Sequence, residues 1–344
     1  MRPCHVYREA DVPPGALDGE TVAILGYGHL GRTIAMNLRD SGVKVRIGNR
    51  ADDYAESARA DGFEVAPLAV AAADDIVWVA LPDEVIGGVL STEVCAALRP
   101  GSALVFGSGY SLAFGLAHPP ETVDVLMVAP RMAGGAARAR FQTGEGFWAC
   151  VGVEADRSGR GRQRMLGLAA AIGALHGTGA VEMTARAEAI LDLFIEQTIG
   201  PLLGTAMMIA FDVGLEAGIP AEALVLEMYM SGEMETVFRG FRQIGFLRAS
   251  EEHGPTAIFG GLTRTFELDR SEMATRFRAV LEDISSGAFA RRFAEEARSG
   301  YPILAVARAM IHGTSPISTA EDSLRRLTGD APDTPGEGHL PAPP

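Results

Sequence analysis

The sequence predicts an α/β fold in which a Rossmann domain with a doubly wound parallel sheet precedes an all-helical domain. Three observations predict it. An apolar strand runs directly into a G-x-G-x-x-G loop at residues 21–31, short apolar runs alternate with helical patterns up to about residue 182, and only helical periodicity follows. The predicted limits are 1–18 for an N-terminal arm, 19–183 for the dinucleotide-binding domain, 184–328 for the helical domain, and 329–344 for a disordered tail.

The glycine loop is the most specific motif in the chain. Gly26 permits the tight turn after the strand, Gly28 lets a pyrophosphate approach the backbone, and Gly31 lets the helix pack closely on the strand. The N-terminus of the following helix offers unpaired N–H donors to the phosphates. The loop therefore predicts dinucleotide binding, and its predicted contacts are Gly26, Tyr27, Gly28, His29, Leu30 and Gly31.

The remaining elements follow in order along the chain. Strands are predicted at residues 22–25, 43–47, 76–81, 103–106, 123–129 and 148–153, with a last one near Val181. Helices of the second domain are predicted at 185–217, 221–246, 271–285, 289–298 and 303–311. Ligands bind at the carboxyl ends of the strands in such sheets, so we expect Leu81 and Pro82 to line the cofactor pocket.

Composition and charge restrict the class of protein. The chain of 344 residues carries 30 basic and 44 acidic side chains, giving a formal charge of −14. This charge disfavours nucleic acid and anionic membranes as partners. Three cysteines without metal-ligand spacing indicate free thiols in a reducing compartment. With no apolar signal segment at the start and no unbroken apolar run of ~18–20 residues, we expect a cytoplasmic protein.

Several ordered motifs resemble ketol-acid reductoisomerase. The resemblance extends from residue 20 to about 317 and implies the short, class I form, in which two chains intertwine into a homodimer. The motifs that carry it are Gly26-Tyr27-Gly28, Asn37-Leu38-Arg39-Asp40-Ser41-Gly42, Leu81-Pro82-Asp83-Glu84, Leu98-Arg99-Pro100-Gly101, the segment Asp124–Pro130, Asp192-Leu193-Phe194-Ile195-Glu196-Gln197 and the segment Ile284–Ala290.

The resemblance implies a two-step reaction and two cofactors. The family moves an alkyl group of an acetohydroxy acid with magnesium and then reduces the resulting ketone with NADPH. Asp192 and Glu196 match the family's first pair of metal ligands, and their i, i+4 spacing places both carboxylates on one helix face. Glu227 matches the first glutamate of the second pair. The resemblance therefore implies a Mg²⁺ site at Asp192, Glu196 and Glu227, and the departures described next argue against it.

The sequence departs from the family pattern at four positions of the expected pocket. Losing a glutamate weakens a second metal site, and arginine cannot act as the acid–base group that a lysine can be. We therefore predict that the isomerase step is absent or very weak. The departures are Ser231 for the family's second glutamate (with Glu233 and Glu235 nearby), Ser108 for its histidine, Arg131 for its lysine, and no match in residues 253–260 for its substrate-binding serine.

The retained residues favour a reductase of a small C=O or C=N substrate, such as a 2-keto acid or an imine in specialised biosynthesis. We expect Glu196, half-buried near the nicotinamide, to be the proton donor, and Asp192 to orient it or bind a single cation. Arg131 could clamp a substrate carboxylate and Ser108 could donate a hydrogen bond to the acceptor atom. His253 is a second candidate proton donor, although an exposed loop histidine is the commoner interpretation.

The loop after the second strand bears on whether the protein prefers NADH or NADPH. Asp53 stands where the family has a serine that holds the 2′-phosphate of NADPH, and a carboxylate there would repel that phosphate. Arg50 opposes this effect because it can pair with the same phosphate. We predict a preference for NADH, with Asn49, Arg50 and Asp53 at the ribose and Ser108 and Gly109 at the nicotinamide end.

Two alternatives remain open from the sequence. One is a true Mg²⁺-dependent ketol-acid reductoisomerase with a metal site rearranged onto Glu233 or Glu235. The other is a non-catalytic dinucleotide-binding protein. Magnesium dependence distinguishes the first alternative from the reductase, and cofactor consumption with a panel of keto acids and imines distinguishes the second.

Overall fold

The computed structural model describes residues 4–311 and 313–329. The chain divides into two compact units, which meet inside one long helix between Asp192 and Leu193. The predicted tail at 329–344 lies, from residue 330 onward, outside the described residues, as do the first three residues of the predicted arm.

The first unit is a nine-stranded sheet in the order β1-β9-β8-β7-β6-β5-β2-β3-β4. The predicted Rossmann fold is confirmed, because β2 to β6 are all parallel to their neighbours and β7 continues the parallel set. The strands are β1 Val6–Tyr7, β2 Thr21–Leu25, β3 Lys44–Gly48, β4 Glu64–Ala66, β5 Ile76–Val79, β6 Ala103–Phe106, β7 Asp124–Pro130, β8 Ala149–Ala155 and β9 Ala180–Glu182.

The sheet differs from the prediction in three places. The arm contributes β1, which pairs antiparallel with β9, so the described part of the arm is ordered rather than loose. Strand β4 is only three residues long and shows no apolar run for the sequence to reveal. Strands β7 and β8 are antiparallel, so the sheet is mixed. The sequence could not show this, because an apolar run reads the same in either strand direction.

Helices cover both faces of the sheet, and the core lies between the layers. One cluster packs around Ile24, Trp78 and Val128, and the other around Leu25, Val79 and Leu104, all of them fully or almost fully buried. The helices of this unit are α1 His29–Asp40, α2 Asp53–Ala60, α3 Leu68–Ala71, α4 Asp83–Val89, α5 Tyr110–Ala113, α6 Gly134–Gln142 and α7 Gly161–Ala171, followed by the start of α8 Ala185–Glu216.

The second unit is entirely helical in its described residues, as predicted. The predicted helix at 221–246 is instead broken, because Gly232 takes a left-handed φ of 78° after a π-helical turn at Leu226–Met230. Two helices that the periodicity missed, α11 and α15, begin with proline at their first turn. The helices of the second unit are the rest of α8, then α9 Ala221–Val225, α10 Glu233–Ile244, α11 Pro255–Glu267, α12 Arg270–Ser285, α13 Ala288–Arg298, α14 Pro302–Ile311 and α15 Pro316–Thr328.

Helix α8 leaves much of its apolar surface uncovered within this chain. Among the described residues it is the one helix long and apolar enough, by length and composition, to cross a membrane, and little of that segment is buried. Polar residues such as Gln197 and Thr198 interrupt the apolar run of α8, so no unbroken apolar run marks this helix in the sequence. The exposed apolar residues on α8 are Leu191, Ile195, Ile199, Leu202, Leu203, Met208, Ile209 and Val213.

Candidate active site

The glycine loop between β2 and α1 has a separate steric requirement at each glycine. At Gly26 φ is +96°, and an added Cβ would lie 2.6 Å from the carbonyl oxygen of Ala80. An added Cβ at Gly31 would lie 2.2 Å from the carbonyl oxygen of Gly26, so only glycine lets α1 pack this closely. At Gly28 the added atom would meet no protein atom within 4 Å, which leaves the approach to the backbone open for a pyrophosphate.

The first turn of α1 faces the same opening. Gly28 is the N-cap and has no side chain to satisfy the free N–H groups, so these donors remain available to an anion. The side chain of Tyr27 is buried and its hydroxyl donates to Asp61 at 2.8 Å, so only the Tyr27 backbone can face a ligand. His29 is exposed and Leu30 is half-buried. The loop fits the pyrophosphate of a dinucleotide.

The residues at the end of β3 form a small polar network at the predicted ribose position. Asp52 caps α2 by accepting from the Ala55 N–H at 3.1 Å, and it also accepts from Asn49 Nδ2 at 2.7 Å. Arg50 is 85% exposed and its Nε donates to Asp52 at 2.9 Å. Although burial opposes it, the hydrogen bond from Arg50 helps to lower the pKa of Asp52. Asp53 is exposed on the first turn of α2.

The loop after β6 contains Ser108 and Gly109, the residues predicted to lie at the nicotinamide end. Ser108 Oγ accepts from the Tyr110 N–H at 3.1 Å, so its own hydroxyl proton is available to a bound molecule. An added Cβ at Gly109 would lie 2.0 Å from the Ala185 carbonyl oxygen, so the loop packs directly on the start of α8. Leu81 is half-buried and Pro82 is exposed just after β5, the strand next to β6 in the sheet.

A charged network joins this loop to α8 within the first unit. Arg131 follows β7, and its Nη1 donates to Asp192 Oδ1 at 2.6 Å while its Nη2 donates to Glu188 Oε1. Glu188 Oε2 accepts from the Gly109 N–H at 2.6 Å. Both terminal nitrogens of Arg131 are thus engaged by carboxylates of its own chain. Each terminal nitrogen carries a second N–H, so the role of Arg131 as a clamp for a substrate carboxylate stays a prediction.

Glu188 is the residue of this network that sequence reasoning missed. Its side chain is 0% exposed, whereas the side chains of Arg131 and Asp192 are 25% and 43% exposed. Burial raises the pKa of Glu188, and the charge of Arg131 opposes that rise. The available signal was its spacing, because Glu188 lies four residues before Asp192 on the same face of a helix.

Asp83 is a second acidic residue near this network that the sequence analysis did not select. It is the first residue of α4, and its Oδ1 accepts from Ser111 Oγ at 3.3 Å. Burial raises the pKa of Asp83 to about 6, and the charges of Glu84, Glu188 and Asp192 act in the same direction. This edge of the sheet is therefore rich in carboxylates.

The other predicted site residues lie in the second unit. Glu196 is exposed within this chain and not half-buried as expected, and its role as proton donor stays a prediction. Glu227 is exposed on the π-helical turn, and Ser231 ends that turn. His253 is exposed, which favours the structural interpretation of this residue. Among the described residues, no group of three or more acidic, histidine or cysteine side chains is arranged to hold a metal ion.

Magnesium, which the family resemblance implies, does not fit the carboxylates of the first unit as they are arranged. Glu188 has both oxygens engaged by Arg131 and Gly109, and Asp192 has Oδ1 engaged by Arg131. A divalent cation on Asp192 would lie beside a permanent positive charge. The site fits a nucleotide-dependent oxidoreductase. This class is indicated by the glycine loop, by the open side of Gly28 and by the polar residues beside it.

Comparison with known proteins identifies the family. Residues 16–178 match the family described as "Acetohydroxy acid isomeroreductase, NADPH-binding domain", and residues 186–329 match "Ketol-acid reductoisomerase, C-terminal domain". The chain belongs to the ketol-acid reductoisomerase family. It is an NAD(P)H-binding oxidoreductase, as the sequence predicted.

Two relatives support this assignment along most of the chain. A Saccharolobus solfataricus protein named "Putative ketol-acid reductoisomerase 3" is 36% identical over 292 residues, which cover 83% of this chain and 87% of the relative. The structure of an NADH-preferring ketol-acid reductoisomerase from an uncultured archean is 31% identical, covers 94% of this chain and 99% of its own, and superposes with a TM-score of 0.88. A Cupriavidus necator semialdehyde dehydrogenase NAD-binding protein, 20% identical with a TM-score of 0.55 over 76% and 99% of the two chains, shares the fold alone.

Proposed function

We propose that this protein is an NAD(P)H-dependent reductase that has kept the reduction step of its family and lost the isomerisation step. The observation that carries this proposal is the Arg131 network. Glu188 and Asp192 are held by a guanidinium, whereas the family's alkyl shift uses metal ions on free carboxylates. Ser108 in place of histidine and Ser231 in place of glutamate support the same conclusion.

The reduction requires three functions from the chain. The opening at Gly28 and the start of α1 would hold the pyrophosphate, and the bound nicotinamide supplies the hydride. Ser108 would donate its hydroxyl proton as a hydrogen bond to the acceptor atom. Glu196 remains the proposed proton donor from the sequence, and Asp83, with a pKa of about 6, is a second candidate that the structure adds.

The charge at this edge favours a C=N substrate over a C=O substrate. Asp83, Glu84, Glu188 and Asp192 place four carboxylates near one another, against the one guanidinium of Arg131. A protonated imine carries a positive charge and is stabilised there, whereas a 2-keto acid brings another negative charge. We therefore place an imine first and a 2-keto acid second, with specialised biosynthesis as the proposed setting.

Consumption of NADH and NADPH tests this proposal directly. We expect reduction of at least one cyclic or acyclic imine, and no product from 2-acetolactate with Mg²⁺ and either cofactor. Product from 2-acetolactate at roughly 1 per second or faster, a rate typical of enzymes, would overturn the proposal. Removing the Asp83 carboxyl (Asp83→Asn) should abolish any pKa near 6 in the pH profile of kcat/KM if Asp83 is the donor. If Glu196 is the donor, Glu196→Gln should abolish turnover and Asp83→Asn should leave the profile unchanged.

A true ketol-acid reductoisomerase is the second candidate. The family assignment and the 36% identical relative favour it. Glu233 and Glu235 stand on the first turn of α10, just after Ser231, where they could replace the missing glutamate. In that case 2-acetolactate turnover should require Mg²⁺ and should fall by at least tenfold in Glu233→Gln or Glu235→Gln.

The cofactor network supports a preference for NADH. Arg50 is paired with Asp52, which reduces its attraction for a 2′-phosphate, and Asp53 remains exposed where it would repel that phosphate. One relative is named as NADH-preferring. Tighter binding of NADPH than of NADH in a fluorescence titration would contradict this preference.

The exposed apolar side of α8 supports a homodimer. Ile195, Ile199, Met208 and Ile209 are each about half exposed, and a face of this kind is typical of an interface. A second copy covering it would also explain why α8 resembles a membrane-spanning helix in composition alone. A monomer in sedimentation at micromolar concentration would rule out the dimer. A cytoplasmic location remains a prediction from cysteine usage and charge.

A further inference from the structure

The Arg131 network is tightly connected and lies within one compact unit. The Arg131 backbone N–H donates to the Trp148 carbonyl oxygen at 2.8 Å, which places the residue firmly at the end of β7. Its guanidinium then reaches Asp192 at 2.6 Å and Glu188, and Glu188 in turn accepts from Gly109 at 2.6 Å. The backbone of two strand-end loops and the first turns of α8 are therefore joined through one guanidinium.

The charges of this network require a cation that is always present. Glu188 is fully buried, and a buried carboxylate needs a positive partner with good hydrogen-bond geometry. Arginine meets this need because its planar group stays charged and presents two terminal nitrogens in a fixed fork. A lysine ammonium is a single strongly hydrated point charge and cannot reproduce that fork.

We propose that Arg131 takes the place of a divalent cation: it holds Glu188 and Asp192 together and excludes Mg²⁺ from Asp192. One oxygen of Asp192 is already engaged, and any cation on the other oxygen meets the guanidinium charge at close range. Arginine at this position thus closes a metal site, and replacing it by glutamine, which carries no charge, opens the site again. This proposal rests on the proposed function, which identifies the carboxylates around Arg131 as part of the reactive site.

Cation binding to the full-length protein tests this inference without any measurement of turnover. Mn²⁺, a paramagnetic substitute for Mg²⁺, is titrated into the protein and free Mn²⁺ is read by electron paramagnetic resonance, with calorimetry for Mg²⁺. We expect the wild-type protein to bind neither ion tighter than millimolar. Arg131→Gln should bind Mn²⁺ at least tenfold tighter than wild type, and the double variant Arg131→Gln/Asp192→Asn should lose that gain.

Arg138→Gln is the matched control. Arg138 is also partly buried and donates to two partners in the first unit, Asp40 at 2.5 Å and Asn37 at 2.8 Å, but it lies outside the Arg131 network. The Arg138→Gln variant should bind Mn²⁺ as wild type does. If Arg131→Gln fails to fold, Arg131→Met, which also removes the charge, replaces it with the same expected gain.

Two results would overturn the inference. One is micromolar binding of Mn²⁺ by the wild-type protein that Asp192→Asn abolishes. The other is a folded Arg131→Gln or Arg131→Met variant with no gain over wild type. A different result would reject the proposed function alone. If the protein binds no divalent cation and still converts 2-acetolactate, the proposed function is wrong and the inference about Arg131 stands.

Discussion

Two parts of the candidate site lie where the parallel strands end, and different forces hold them in place. The cofactor end is the glycine loop, and the reactive end is the network around Arg131. At the cofactor end, sterics decide: Gly26 and Gly31 leave no room for a Cβ, and Gly28 leaves an opening. At the reactive end, charge decides: Arg131 joins Glu188 and Asp192. At the first end, Gly26 and Gly31 have no room for a side chain, and Gly28 leaves the backbone open to the cofactor. The second can be reset by a single charged substitution, which is where this chain departs from its family.

The largest effect should come from removing the buried member of the charged end. We expect Glu188→Ala to lower the free energy of unfolding by about 2–4 kcal/mol, because it leaves a largely buried guanidinium and the Gly109 N–H without their acceptor. Urea unfolding followed by circular dichroism measures this. Glu272→Ala, which breaks an exposed pair with Arg276, should cost at most about 0.5 kcal/mol. Equal losses in the two variants would show that the buried pair is not special.

The cofactor end should respond in binding rather than in stability. An added methyl group in Gly28→Ala fills the opening above the loop without meeting protein atoms, so we expect NADH affinity to fall by about 10–100-fold while stability changes by less than about 1 kcal/mol. Gly88→Ala, also without protein atoms near its added Cβ but outside the loop, should bind NADH as wild type does. Unchanged affinity in Gly28→Ala would contradict the assignment of the loop.

A smaller change is expected where the two cofactors differ. Asp53→Ser removes the exposed carboxylate at the predicted 2′-phosphate position, so the ratio of NADPH to NADH affinity should rise by about tenfold. Fluorescence titration with both cofactors measures the ratio. Glu56→Gln removes one exposed charge from the same helix and should shift the ratio by less than about twofold. A similar shift in both variants would show that the effect comes from the overall charge of the helix and not from the position of Asp53.

The last prediction concerns Asp83 and depends on pH. Because burial raises the pKa of Asp83 to about 6 in the folded protein, the stability that its protonated form contributes is fully present below the pKa of the unfolded state and is lost as pH rises through 6. Asn carries no such charge, so the stability of Asp83→Asn relative to wild type should increase by about 1–3 kcal/mol between pH 4 and 6 and then stay level. Melting temperatures across this range measure it. A difference that does not vary with pH would place the Asp83 carboxyl in solvent.

The elements that the sequence predicted well are those with strong local signals. The glycine loop, strand β6 at Ala103–Phe106 and helix α8 were located closely, because glycine spacing and apolar periodicity act over a few residues. The antiparallel β8, the strand β1 in the arm and the break at Gly232 escaped prediction. Each depends on which distant segment pairs with it or on one backbone angle, and apolar pattern carries neither kind of information.

By itself, the sequence determined the dinucleotide loop, the family and the positions where the family pattern changes, because these are properties of residue type and spacing. It could not determine what the changed residues contact. The tertiary structure decided that Arg131 faces Glu188 and Asp192 rather than open solvent, because 57 and 61 residues of chain separate these partners and only the folded sheet brings them together. It also decided that Glu188 is buried, since burial is a property of packing around a residue and not of the residue itself.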